Sequence, residues 1–180
     1  TIDASERVGI GIGSPLSDLH IHNSADHTRL NIDCSNSSGD NWQFQSRNNG
    51  EFWLRNDDHS RNDIVVYPST GAVTMPSQPA FSVHPSSTQS NITVNSWVQI
   101  VFGTEIFDIG GNFASNNFTA PVTGKYQLNI VSRLENTDSG ANYYQARIQT
   151  SNRTYYWTHD PDFGQDSTYF AWSFSVLADM

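Results

Sequence analysis

Polar and apolar positions alternate along most of this chain, and almost nowhere do apolar residues recur at helical spacing. Runs with apolar residues at i, i+3, i+4 and i+7 are interrupted by Gly, Pro or Asn-Ser clusters. Short strands are predicted at 20–22 and 29–33, with Leu19/Ile21 and Leu30/Ile32 each on one face. Residues 42–45 alternate, Arg47-Asn48-Asn49-Gly50 turns, and 51–54 return. Asn-Gly between alternating runs is a strong hairpin signal, because both residues tolerate positive φ. Residues 63–67 and 72–75 flank a second tight turn, Pro68-Ser69-Thr70-Gly71.

The segment Met75-Pro76-Ser77-Gln78-Pro79 breaks the pattern, since two prolines cannot continue a central strand. It sets the expected boundary between a β-rich region, 1–76, and a second domain, 79–180. Beyond it strands are predicted at 80–83, 97–102, 126–134, 143–150, 154–158 and 168–177. Tyr126, Leu128, Ile130 and Leu134 fall on one face of the longest run. Ser151-Asn152-Arg153 closes a hairpin between 143–150 and 154–158. The fold class is all-β, with short hairpins followed by a sandwich.

Composition narrows the function. The chain has 180 residues, with 9 Lys+Arg against 18 Asp+Glu and a net charge of −9. That balance argues against nucleic acid, which is bound by clustered cations. Mean hydropathy is −0.51, the apolar runs are short, and no membrane insertion is expected. No apolar leader is read in the opening residues, so a secretory signal is not expected. The single cysteine, Cys34, excludes an intrachain disulfide framework. Charged residues make up 15%, well below the roughly 25% of ordinary domains, and Asn, Ser and Thr fill the gap. With 12% aromatics this is a foldable, neutral-polar β-protein suited to an extracellular or virion surface.

Phe102, Asp108, Phe113 and Phe118, followed by Gly124-Lys125-Tyr126-Gln127-Leu128, are similar to the signature of the C1q/TNF-like jelly roll. The gap between Phe113 and Phe118 is shorter than the family's, and Leu128 stands where it has Phe. The resemblance implies a trimeric sandwich of about ten strands. Residues 79–180 supply about seven, so the head is expected to lack its last strands. Independently of the family, Phe102, Phe118 and Tyr126 read as packing residues, and the Tyr126 hydroxyl needs a partner.

The stretch Val8-Gly9-Ile10-Gly11-Ile12-Gly13-Ser14-Pro15, with Leu19-His20-Ile21 after it, resembles a module of phage tail fibres and bacterial surface fibres. The usual form has Thr where Ile12 sits. Alternating glycines leave one strand face bare, so another chain can approach closely, as a threefold stem requires. An ordinary Gly-rich turn is the alternative.

No catalytic assembly is evident: there is no Gly-x-Ser-x-Gly elbow, and an enzyme is not expected. His20 and His22 have the i, i+2 spacing of some metal sites, with a solvent-facing pair as the plainer reading. Asp160, Asp162 and Asp166 crowd one loop that could hold Ca²⁺, although it lacks the EF-hand register and reads more simply as a solvated acidic loop. No cofactor is expected beyond that.

Adjacent aromatics at Tyr143-Tyr144 and Tyr155-Tyr156-Trp157 must face opposite ways. If Tyr156 packs inward with Tyr144 and Ala146, then Tyr155 and Trp157 point outward. Tyr155, Trp157, His159 and Asp160 are therefore the candidate ligand-binding residues, with a subunit interface as the competing role. The expected protein is a virion-surface fibre, a homotrimeric phage tail fibre. Its partners would be other virion proteins and host-surface carbohydrate. The alternatives are a purely structural component (capsid decoration or fibre shaft) and a secreted C1q-domain lectin.

Overall fold

A computed structural model describes residues 1–162 and 164–180, and among them every regular element is a strand. The all-β class is therefore observed. Two compact units, Thr1–Asn117 and Phe118–Met180, divide the chain, so the proline-flanked segment at 75–79 lies inside the first.

The N-terminal unit opens with β1 (Val8–Ile10) and β2 (Leu19–Ile21), paired parallel. Here the glycines serve this chain's own backbone. A Cβ on Gly9 would stand 2.6 Å from the Ile12 carbonyl oxygen, and Gly11, at φ +75°, lies against the His22 carbonyl. The bare face expected to admit another chain is thus occupied locally at those two positions. Asp3 ties the turn before β1, accepting from the Ser5 and Arg7 amides and from Arg7 Nε.

A five-stranded antiparallel meander follows: β3 (Thr28–Asp33), β4 (Asn41–Ser46), β5 (Phe52–Asn56), β6 (Arg61–Val66) and β7 (Val73–Thr74), paired in sequence order. Gly50 at φ 87° turns the β4–β5 hairpin, as Asn-Gly predicts. The registers Leu30↔Phe44↔Leu54↔Ile64 and Phe52↔Val66↔Val73 gather the apolar side chains on one face. Gln43, Gln45, Arg55 and Asn62 share the other.

Next come β8 (Ala80–His84) and β9 (Thr104–Ile109), paired antiparallel. The strand expected at 97–102 is instead irregular, and pairing begins at Thr104. Side chains take over its backbone groups: Gln89 accepts from the Val101 amide and donates to the Gln99 carbonyl, and Asn116 accepts from the Phe102 amide. Phe113 stacks on Phe81 at 5.0 Å and meets Phe102 edge-on at 5.9 Å. The short strands β10 (Phe113–Ala114) and β11 (Asn117–Phe118) come next in the chain.

In the C-terminal unit, β12 (Lys125–Thr137) pairs with β15 (Ser167–Asp179), and β13 (Tyr144–Gln149) pairs with β14 (Thr154–His159). Along β12 even-numbered residues from Tyr126 to Leu134 are the more buried, as alternation predicts. Phe118 meets Tyr126 edge-on at 5.3 Å, and the Tyr126 hydroxyl donates to the Val122 carbonyl. Gly124 exchanges both backbone hydrogen bonds with Met180, extending the β12–β15 ladder.

Asp108 has a definite structural task. Its carboxylate accepts the Asn112 amide at 3.0 Å and the Phe113 amide at 2.8 Å, closing a turn whose Gly110 and Gly111 have φ 95° and 65°. Asp108→Ala strands both donors, and a loss of about 1–3 kcal/mol in denaturant unfolding is the expected result.

Candidate functional site

The aromatic hairpin of the C-terminal unit faces the opposite way from the sequence expectation. Register pairs Tyr144 with His159, Ala146 with Trp157 and Ile148 with Tyr155, and these six share one face. Trp157 stacks on Phe174 at 4.1 Å, and His159 stacks on Phe170 at 4.1 Å. Tyr155 donates its hydroxyl to Asp179 at 2.7 Å. Tyr156, registered with Arg147 on the outer face, is 54% exposed. The physical reason lies in what is opposite: β15 presents Phe170, Trp172 and Phe174, and the small Ala146 leaves room for the indole. Packing two large rings outweighs burying Tyr156.

Tyr155, Trp157 and His159 are accordingly packing residues of a small two-layer sandwich, not an outward recognition face. Asp160 is exposed, and its Oδ1 accepts from the Asp162 amide. Asp166 accepts the amide and hydroxyl of Ser139, which hold its carboxyl below the ordinary range. Phe163, between Asp162 and Gly164 in the sequence, lies outside the described residues. Among the described residues no three His, Cys, Asp or Glu side chains gather where they could hold a metal ion. The His20 and His22 rings stand edge-on at 6.0 Å, and His20 Nδ1 accepts from the Leu16 amide.

A different site appears on the polar face of the five-stranded sheet. A cleft of about 630 Å³ lies over β3–β6 and the turns beside them. Its floor holds Gln43 and Gln45, which are 5% and 2% exposed; the Gln45 amide donates to the Gln43 amide oxygen. Arg47 donates to Gln45 Oε1 at 2.9 Å, and its guanidinium lies 3.9 Å over the Trp53 ring. Trp53 is pinned in turn by donation to Glu51 at 2.8 Å. Arg55 bridges Asp57 and Asn62 at 2.9 and 3.0 Å. At the rim Asp26 lies 3.3 Å from both His27 and Arg29. The neighbouring His27 amide, then the His27 and Arg29 charges, lower the Asp26 pKa.

The chemistry is that of polar recognition. Amides supply paired donors and acceptors, guanidiniums supply forked donors for a planar anion, and the described residues lining the cleft include no Ser, Thr, Cys or Lys to act as a nucleophile. A signal was legible in the sequence: Gln43, Gln45 and Arg47 recur at the strand period beside Trp53 and Arg55. Taken one strand at a time, such a pattern reads only as a solvent-facing edge.

Known proteins offer no direct parallel: no protein family, no characterised protein and no solved structure matches the chain.

Two outcomes follow for the C-terminal unit. Trp157→Ala is expected to lower unfolding stability by about 2–4 kcal/mol and Tyr156→Ala by less than about 1, in parallel urea titrations. The Tyr155 hydroxyl first, then Arg153, lower the Asp179 pKa from its ordinary value of 3.8. The ionised carboxylate is thus favoured by folding, a contribution present above 3.8 and lost as pH falls through the depressed value. Asp179→Asn should therefore reduce neutral-pH stability and flatten the acid limb of the pH–stability curve.

Proposed function

We propose that this chain is one protomer of a homotrimeric fibre protein on a virion surface, a phage tail fibre with a C1q-like jelly-roll head that attaches to host-surface glycans. The observation that carries this reading is how much surface one copy leaves open, large hydrophobic side chains included. Its accessible area is 12509 Å². A compact monomer of this mass exposes about 8,700 Å², and two separate domains roughly 10,000 Å². Among the described residues the buried apolar side chains are few: Val65, Ala178 and the rings of Pro15 and Pro161.

The open surface is organised. On the apolar face of the five-stranded sheet Leu30, Ile32, Phe44, Phe52 and Val73 are 39–58% exposed. Phe44 and Phe52 stack there at 6.3 Å. A contiguous apolar sheet face is what association between copies covers. The neutral-polar composition and the two resemblances support an external, glycan-facing protein. They also supply the threefold symmetry, since exposure alone does not fix a copy number. Three sites on one rigid assembly raise avidity without tight single-site binding.

Sedimentation of the full chain at micromolar concentration tests the assembly. A trimer is expected, and Ile32→Asp, which places a charge on the apolar face, should weaken it by about 2 kcal/mol or more per protomer. A stable wild-type monomer refutes the fibre reading. A glycan array that returns no ligand for a confirmed trimer points instead to a purely structural virion component.

A further inference from the structure

Cations are scarce in this chain, yet the cleft on the polar face of the five-stranded sheet collects three of its 9 Lys+Arg residues, Arg29, Arg47 and Arg55. Two of them are already matched, Arg29 by Asp26 and Arg55 by Asp57. Among the described residues no carboxylate lies within 4.0 Å of Arg47. Its guanidinium is nonetheless held firmly, stacked on Trp53 and hydrogen-bonded to Gln45. Arg47 Nε is enclosed with no hydrogen-bond partner among the described residues. A preorganised guanidinium that no carboxylate neutralises, above a floor of buried amides, is an incomplete polar site.

We infer that this cleft binds a carboxylate-bearing saccharide, with Arg47 taking the carboxylate and the amides of Gln43, Gln45 and Asn62 reading hydroxyls. The assignment rests on the glycan-attachment reading above and deepens it by naming the sugar class and the strands that hold it. The carboxylate follows from Arg47, because a planar fork fixed in one plane suits a two-oxygen anion. A sugar, not a bare anion, follows from the floor: side-chain amides both donate and accept, as hydroxyl-rich ligands require. The volume of about 630 Å³ lies within the range of small-molecule sites. Arg47 already covers one face of Trp53, so the guanidinium itself, not the indole, is the platform the ligand meets.

Isothermal titration of the full chain with trigalacturonate, 3′-sialyllactose and the carboxyl-reduced, neutral form of trigalacturonate tests the inference. At least one acidic saccharide should bind with a Kd of about 1 mM or below, and the neutral form about tenfold or more weaker. Arg47→Gln should reproduce that loss for the acidic sugar, so that the acidic and neutral forms no longer differ. Arg47→Lys, which keeps the charge but not the fork, should recover only part of it. The neutral saccharide needs no variant, so the comparison stands even where a substitution disturbs folding. Equal binding of acidic and neutral forms, undiminished binding by a folded Arg47→Gln chain, or no binding of either acidic probe at about 10 mM overturns the inference. A monomer that binds the acid through Arg47 refutes the fibre reading and leaves the cleft assignment standing. A trimer whose host attachment survives Arg47→Gln does the reverse.

Discussion

The constraint on which this structure depends is the two-residue period of an extended chain, which sends each side chain to the face opposite its neighbour's. In the C-terminal unit that period lets two ribbons turn their aromatic faces toward one another. Trp157 lies on Phe174 and His159 on Phe170, while Gln145, Arg147 and Tyr156 share the other face of their ribbon. In the five-stranded sheet the same period separates a face of Leu, Ile and Phe from a face of Gln, Asn and Arg. Much of the first stands open, with Leu30, Ile32, Phe44, Phe52 and Val73 exposed, and the second folds its polar groups over one another into a cleft.

Carboxylates keep the connecting turns in shape. Asp3, Asp108 and Asp166 each accept main-chain amides in segments where no ladder can supply a partner. Asp179 does related work through side chains, accepting from Tyr155 and Arg153. A short acidic side chain reaches back to nearby N–H groups more readily than a long one, and it competes well with water for them. The acidic balance of the chain is in this respect partly structural: several of its negative charges stand where amides would otherwise go unpaired.

Most strands and the Asn-Gly hairpin were legible in the sequence because alternation and turn chemistry are local. Asp108 could be singled out only by resemblance, and its role came from the turn it closes. The parity of the 154–159 strand was not legible. Choosing between Tyr156 and Trp157 as the inward residue required knowing that Phe170, Trp172 and Phe174 lay opposite, which is a long-range fact. The irregular course of 97–102 was hidden for a similar reason, since Gln89 and Asn116 take hydrogen bonds that the pattern assigned to a neighbouring strand. The cleft was missed because its residues come from separate strands, and only the register brings Gln43, Arg55 and Asn62 into one row.

That register also ties the two proposals together. The cleft and the open apolar surface are opposite faces of one sheet, so copies that associate through the apolar face leave the polar face to solvent. Association would then present one cleft per protomer, each on a sheet stiffened by the packing behind it. Weak sites held rigidly at fixed separation gain affinity together for a repeating polysaccharide, since after the first contact the others bind at high effective concentration. It also accounts for placing the least neutralised guanidinium of the cleft over Trp53. A site that works by repetition needs a modest, well-oriented contact, and a stacked arginine loses little side-chain freedom when it binds.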